Sequence, residues 1–442
     1  MTVQPYKGGG IGGLMLGVAI GHMDREKLIE VDIYESSAEL VQVGAGITVW
    51  PRALQILRNL GLEKTLASYQ ARPETKDEPR FVFKFRKSDQ SEGVTFFEMT
   101  NGSGFHTIRK TPFNGNSIPS LLQHLPPNYR CHLSTRLTSY KETQEYVHLE
   151  FQNGINTTCD ILVGADGIKS SVRKFFFQDN LSSQVALADP IWSGTAVYRG
   201  LIPSELLAKE RPNHCSLSSP MIHIVTYPIS QGRLVNVAAY YSEPQNEGTT
   251  LQGAVVSDVS KEEMLSKFEG WEDEVISLLK LIEKPSRWAI QTIKPLDKYA
   301  SGRVMLLGDA AHAMVPHLGS GATQAVEDAY ILATILSHAE QVPELPISRL
   351  SEIYTTVRQP VGNFVQNLSR TEGLLYEFNA PICEDIKELD SSIPQSRLVE
   401  IGEEVAKAWE WLWTSSAEPD RVKAEEMVAA YNSNQTLWEN GS

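Results

Sequence analysis

Residues 8–13 read GGGIGG, which sets Gly8, Gly10 and Gly13 in a G-x-G-x-x-G spacing. In that spacing one glycine makes a tight turn, one lets the backbone approach a pyrophosphate, and one lets helix and strand pack closely. The free N–H groups of the following helix, with roughly half a positive charge from its dipole, would then face the phosphates. Glu35 comes after Gly13 at about the twenty-residue interval expected of an acid that binds a ribose hydroxyl. Two further acids close apolar runs. CDILVGADGIKSSVR at 159–173 places Asp166 after Ile161, Leu162 and Val163, and Ser170 and Arg173 follow at helical spacing. SGRVMLLGDAAH at 301–312 places Asp309 after Val304–Leu307. Such an aspartate can cap the next helix or offer a carboxylate to a hydroxyl-bearing ligand, and the two roles can coexist. Arg199 in YRGLIP could pair with a carboxylate or phenolate, or be a strand arginine facing solvent. His223 in MIHIVTYP and His317 in VPHLGSG could move a proton on a phenol, or simply be packed. His312 in DAAH reads as a packed residue, and Thr48 and Trp50 could contact a ligand or the core. Trp409 and Trp413, four apart on one helical face, read as core.

These groups need a scaffold to hold them. LMLGVAIGHM continues as a helix after the glycines, and KLIEVDIYE reads as the strand that delivers Glu35. The run Val304–Leu307 suits a parallel strand buried on both faces. A loop with Pro316, Gly319, Ser320 and Gly321 then opens a helix through Val326, Ala329, Ile331, Leu332 and Ile335. One departure stands at the N-terminus. Only MTVQPYK precedes the first glycine, and Pro5 argues against a central strand there, so weak retention of a cofactor is an expectation to test.

The chain has 442 residues and a formal charge of −14, with 41% apolar and 21% charged residues. Its length allows two or three domains with a large core. The acidic balance argues against nucleic acid or anionic membranes as general partners, though a local arginine can still hold an anionic substrate. Cys131, Cys159, Cys215 and Cys383 are scattered, without metal spacing or C-x-x-C, which suits reduced thiols in a cytoplasmic protein. No run of about 18 apolar residues predicts a membrane span, and no solenoid repeat is visible.

Taken in order, the stretches at 6–35, 159–173 and 301–336 resemble the class A flavoprotein monooxygenases. Among these the chain is most similar to the salicylate-hydroxylase-like aromatic hydroxylases, over nearly its whole length. The resemblance implies a noncovalently held FAD, its ADP half on the glycine turn and Glu35. The Asp166 segment would support the FAD fold and is linked to pyridine-nucleotide use. Asp309 would meet the ribityl chain, with Pro316, Gly319, Gly321 and Ala322 against the flavin ring. GAGI at 44–47 brings Gly46 near the cofactor. Arg109 is the best match for an FAD-contacting arginine, although KTPFNGNS separates it from the helical PSLLQHLP. Arg199 matches a position that the family carries as an active-site arginine.

The implied reaction uses transiently bound NAD(P)H and O2. A flavin C4a-hydroperoxide passes oxygen to a small aromatic such as a phenolic acid, with or without decarboxylation. No second G-x-G-x-x-G turn provides a dedicated NADPH domain. Two alternatives stay open: an epoxidase or hydroxylase of a polyketide or terpenoid intermediate, and a noncatalytic Rossmann-type binding protein. The expected fold is α/β, a Rossmann-type FAD-binding domain interleaved with a mostly antiparallel substrate sheet, as a monomer or homodimer. The FAD domain is assigned to 1–75, 105–180 and 295–355, and the substrate domain to 76–104 and 181–294. A helical region at 356–442 follows.

Overall fold

The structure is a computed structural model. It describes the chain except for residues 7–8, 41–49, 63–79, 102–120, 181–185, 213, 215, 217–220, 223, 230–231, 343, 388 and 440–442. Gly8, Gly46, Thr48, Arg109, Cys215 and His223 lie outside the described residues.

The apolar runs read from the sequence become inner strands of a mostly parallel sheet. β9 (Ile161–Gly164) and β17 (Val304–Leu306) are buried at every position, as strands covered on both faces must be. With β1 (Thr2–Tyr6), β2 (Glu30–Tyr34), β5 (Arg130–His132) and β16 (Ala300–Ser301) they form a six-stranded sheet, ordered β16-β17-β9-β1-β2-β5. Among the described residues, only β16 runs antiparallel to its neighbour in this sheet. The helix Ile11–Met23 buries Gly13–Ile20 against it. The helix Gly321–Ala339 packs with it in the same core.

β1 corrects the expectation of a missing first strand. It lies centrally, parallel to both β9 and β2. Pairing toward β9 runs unbroken through Val3, Gln4, Pro5 and Tyr6. Pairing toward β2 is made at Thr2, Val3 and Tyr6 and skips Gln4 and Pro5. The donor that proline lacks therefore costs pairing on one side only. Val3 is fully buried, and Asp160 accepts a 2.7 Å bond from the Thr2 N–H, which anchors the strand start.

The second sheet has eight strands: β3 (Arg80–Lys87), β4 (Val94–Asn101), β10 (Ile191–Pro203), β11 (Met221–Ile222), β12 (Ile224–Ile229), β13 (Leu234–Ser242), β14 (Val256–Asp258) and β15 (Ser286–Thr292). It is ordered β14-β15-β10-β13-β12-β11-β3-β4 and is antiparallel except where β11 joins β3. Its two faces are chemically different. Tyr198, Ile202, Ile224, Val235, Val237 and Ala239 form an apolar core with Met264, Leu278 and Leu279 from the helices Lys261–Ser266 and Asp273–Lys280. Side chains alternate along a strand. The register Arg199↔Ala238, Val197↔Tyr240 and Tyr227↔Asn236 therefore sends Arg199, Tyr227 and Tyr240 to the opposite face.

A three-stranded sheet, β6 (Leu137–Glu142), β7 (Val147–Phe151) and β8 (Asn156–Cys159), sits beside the first. The C-terminal part is helical: Ile347–Tyr376, Gln395–Thr414 and Glu418–Glu439. Trp409 is buried and Trp413 partly buried in one aromatic cluster. Among the described residues, no helix is long and apolar enough to cross a membrane, and no His/Cys/Asp/Glu group could hold a metal ion. Cys131, Cys159 and Cys383 are free thiols.

Candidate active site

Two helix N-termini converge at the end of the parallel sheet. Gly10 caps the helix Ile11–Met23 in an extended conformation, without a side-chain cap, and a Cβ there would meet nothing within 4 Å. With no side-chain cap, the first-turn N–H groups keep donors for a phosphate, as an anion site requires. Glu35 follows directly on β2. Its Oε1 accepts bonds from the Ser37 N–H at 2.8 Å and the Ser36 hydroxyl at 3.1 Å. A Cβ on Gly9 would stand 2.8 Å from Glu35 Oε2, so the acid overhangs the glycine turn.

Packing of small residues draws the second N-terminus alongside. A Cβ on Gly12 would lie 2.3 Å from Leu307 and 3.4 Å from the Ala325 methyl, and one on Gly308 would lie 3.2 Å from that same methyl. Ala325 is therefore the shared floor of the glycine turn and the Gly308-Asp309 turn. Gly308 takes φ +62°, a left-handed conformation that favours glycine.

Asp309 opens its side chain to solvent, and its carboxylate makes no hydrogen bond among the described residues. Surrounding protein still desolvates it and raises its pKa, opposed by His312 and Arg173. A Cβ on Gly321 would stand 3.9 Å from Asp309 Oδ1, so the free acceptor lies at the start of the helix Gly321–Ala339. That helix has no side-chain cap either, because the Ser320 hydroxyl donates to Leu318 O instead. An unsatisfied acid between two uncapped helix starts fits a long ligand with hydroxyls and a pyrophosphate. FAD has that chemistry, and its reduced ring would gain from the helix dipole.

Asp166 is used differently. Ser170 Oγ and the N–H groups of Ser171 and Val172 all donate to it, so it caps the helix Ser171–Asn180. Fully buried Arg173 then donates to the carbonyls of Ile168, Ala188, Ala310 and, at 3.4 Å, Asp309. Burial lowers its pKa to about 10, against the nearby acids. Through Arg173, the Asp166 segment braces the backbone that carries Asp309.

A buried ionic cluster braces it from the other side. Asp328 accepts from the Gly308 N–H at 2.9 Å, pairs with His312 Nε2 at 2.6 Å and receives Arg358 Nε at 2.8 Å. Neighbouring Glu327 takes a two-pronged bond from Arg52 at 2.8 and 3.0 Å, and Arg358 Nη1 at 3.2 Å. Burial alone would raise the Asp328 pKa, but His312 and Arg358 outweigh it and hold the acid down at about 2. His312 is thus a packed partner of Asp328, with Nδ1 unpartnered among the described residues.

The loop after it carries the remaining sequence candidates. Pro316 and Gly319 are exposed, and Gly321 and Ala322 are partly exposed. Gly319 turns left-handed at φ +56°, and its carbonyl accepts from Trp50 Nε1 at 3.2 Å. One face of the helix Ile347–Tyr376 grips this loop. Ser369 Oγ donates to Val315 O at 2.6 Å, and Tyr376 OH donates to His317 O at 3.4 Å. The Cδ2–Nε2 edge of His317 fills the space that the missing Cβ of Gly373 leaves. Trp409 Nε1 donates to Tyr376 OH at 2.7 Å and to Glu372 Oε2 at 3.2 Å. Glu372 is fully buried, and that burial pushes its carboxyl up to about 8 against the Tyr376 and Trp409 hydrogen bonds.

Across from the loop stands the polar face of the eight-stranded sheet. Tyr240 is tilted against His317, ring centroids 5.3 Å apart. The Arg199 guanidinium lies over the Trp288 ring at 5.1 Å, and no carboxylate pairs with it among the described residues. Arg199 is close enough to Tyr227 and Tyr240 to favour their ionised forms, although burial raises both phenols overall.

The structure thus brings Gly10, Gly13, Glu35, Asp309, Pro316, Gly319, Gly321 and Ala322 to one end of the sheet, with Arg199 and His317 facing them. Sequence reasoning missed Tyr227, Tyr240, Trp288, Glu372 and Tyr376. The alternation in TYPISQGRLVNVAAY and the helical spacing of Ser369, Gly373 and Tyr376 were the available signals.

Comparisons with known proteins bear on the chain as a whole. A family model described as an FAD binding domain matches residues 8–367. A salicylate hydroxylase of Pseudomonas putida is 31% identical, over 98% of this chain and 95% of its own length. The 6-methylsalicylate 1-monooxygenase of Aspergillus terreus is 32% identical over 74% of this chain and 73% of its own. A solved salicylate hydroxylase–substrate complex superposes with a TM-score of 0.77 at 27% identity, covering 96% of this chain and 98% of that one.

Proposed function

This chain belongs to the FAD-binding-domain family, as an FAD-dependent monooxygenase of the salicylate-hydroxylase type, and on that premise we propose that it hydroxylates a small phenolic acid with NAD(P)H and O2. The observation that carries the substrate class is Arg199. It sits on the sheet face opposite the flavin loop, with an aromatic ring on one side and no acid to neutralise it among the described residues. A cation so placed keeps its N–H fork available for a carboxylate or phenolate. Tyr227, Tyr240 and Trp288 supply flat apolar surface for the ring of such a substrate.

The helix starting beyond Gly10, with Glu35, would hold the ADP half of FAD, and Asp309 with the Gly319–Ala322 loop the flavin half. When bound, the flavin supplies the electrons and the oxygen chemistry. The protein's own tasks are orientation and exclusion of water. Arg199 fixes the anionic end, Tyr240 and Trp288 fix the plane of the ring, and His317 takes a phenolic proton. Its Nε2 edge faces Gly373 and is the less accessible.

A panel of substituted benzoates and phenols, assayed for stimulated NAD(P)H oxidation and for product mass under labelled O2, tests the reading. One labelled oxygen in the product is expected. Stimulated oxidation with no label incorporated, or label only from water, would reject it.

A further inference from the structure

Behind the aromatic wall of the site lies a second space. A cavity of about 260 Å³ has an apolar part, lined by Phe85, Phe96, Ile401 and Val405, and a polar part that carries Lys267 and Glu377 beside the buried Lys87–Asp89 pair. It has room for several waters or a short alkyl chain. Two rings shared with the active site stand between it and the flavin loop. Tyr240 and Tyr376 both line the cavity, and both lie against His317, at 5.3 and 5.9 Å between ring centroids.

The two rings are held very differently. Tyr376 is buried, receives Trp409 Nε1 at 2.7 Å and reaches His317 O at 3.4 Å. Tyr240 is partly exposed, and its hydroxyl makes no hydrogen bond among the described residues. Turning Tyr376 aside would break its hydrogen bonds with Trp409, His317 and Glu372, whereas Tyr240 has none to break among the described residues.

We propose that Tyr240 is a gate that limits the length of substituent the aromatic substrate carries, and that the cavity behind it receives an alkyl chain when the gate is open. The proposal rests on the aromatic-acid reading of the Arg199 face. Arg199 would hold the carboxylate on one side of Tyr240 while the chain passes to the other. The apolar part of the lining next to the two rings, Phe85, Phe96, Ile401 and Val405, favours a hydrocarbon chain there, and Lys87 is already paired with Asp89 at 2.7 Å.

Calorimetric titration with salicylate and with its 4-hexyl and 5-hexyl derivatives tests the gate without requiring turnover. Wild type is expected to bind salicylate more tightly than either hexyl compound. In Tyr240→Ala, checked for native circular dichroism and flavin content, at least one hexyl compound gains tenfold or more relative to salicylate. Tyr240→Leu gives the same direction should the alanine variant fold poorly, and Tyr240→Phe retains the short-chain preference. Adding Val405→Phe to the opened variant fills the cavity and reverses the gain.

Ratios within threefold of wild type in both opened variants overturn the gate, as does a gain that Val405→Phe leaves intact or an absence of binding by all three compounds. Loss of the hydroxylase reading is scored separately, by product analysis on wild type.

Discussion

The two sides of the candidate site are built on opposite electrostatic plans. On the cofactor side, Glu327 and Asp328 are fully buried, and Arg52, Arg358, His312 and the Gly308 N–H answer them with hydrogen bonds. On the side proposed for the substrate, Arg199 has an indole face for a partner, and Glu372 has only Trp409 and Tyr376 among the described residues. A paired buried cluster tolerates one arrangement, because removing a member leaves an uncompensated charge. An arginine on an aromatic ring keeps donors free for whatever ligand arrives. The paired side thus suits one constant ligand, and under the proposed function the Arg199 side would suit a ligand class that can vary.

The largest effect should come from breaking the paired side. Asp328→Ala leaves Arg358 Nε, His312 Nε2 and the Gly308 N–H without their acceptor in the interior, although Arg358 keeps Glu327 and Gln324. It should cost about 3–5 kcal/mol in denaturant unfolding and release FAD, read as loss of yellow absorbance on gel filtration. Retained flavin with unchanged stability would undo the contrast. Next is Arg199→Met, which keeps the stem and removes the fork. A 10- to 100-fold rise in KM for aromatic acids, roughly 1.4–2.7 kcal/mol, is expected, with stability changed by less than about 1 kcal/mol.

The two buried acids sharpen the comparison through pH. Asp328, held near 2, contributes stability above its unfolded pKa that is lost as pH falls toward 2. Glu372 has the opposite sign. Raised to about 8, it stays protonated in the fold after the unfolded chain has ionised, so stability drains away as pH rises from about 4.5 to 8. Glu372→Gln should therefore gain on wild type across that window, by on the order of 2 kcal/mol at pH 8. A pH-independent difference between the two would refute this origin. The smallest effect is expected at β1. Pro5→Val should change stability by less than about 1 kcal/mol, and both forms should purify with close to one FAD per chain.

Much of the cofactor side is legible in the amino-acid order. Glycine spacing, buried strands ending in Asp166 and Asp309, and an acid closing β2 are local patterns, each set by what a tight turn or a doubly covered strand tolerates. The N-terminal strand is hard to read for a local reason too. Pro5 is a poor strand residue by itself, and only its neighbours β9 and β2 show that the lost donor affects one edge of the ladder.

The substrate side is much less legible. Arg199, Tyr227 and Tyr240 share a face only because β10, β12 and β13 pair in one register, and a shift by one residue would send each to the opposite face. Tyr376 and Trp409 become walls of the site through packing between helices far apart in the chain. The sequence by itself determined the dinucleotide-type turn, the buried strands and the acids at their ends, because those depend on near neighbours and on backbone geometry. Which side chains face the substrate, and which buried carboxyl keeps its proton, was decided only by the tertiary structure, since desolvation and pairing are properties of surroundings drawn from the whole chain.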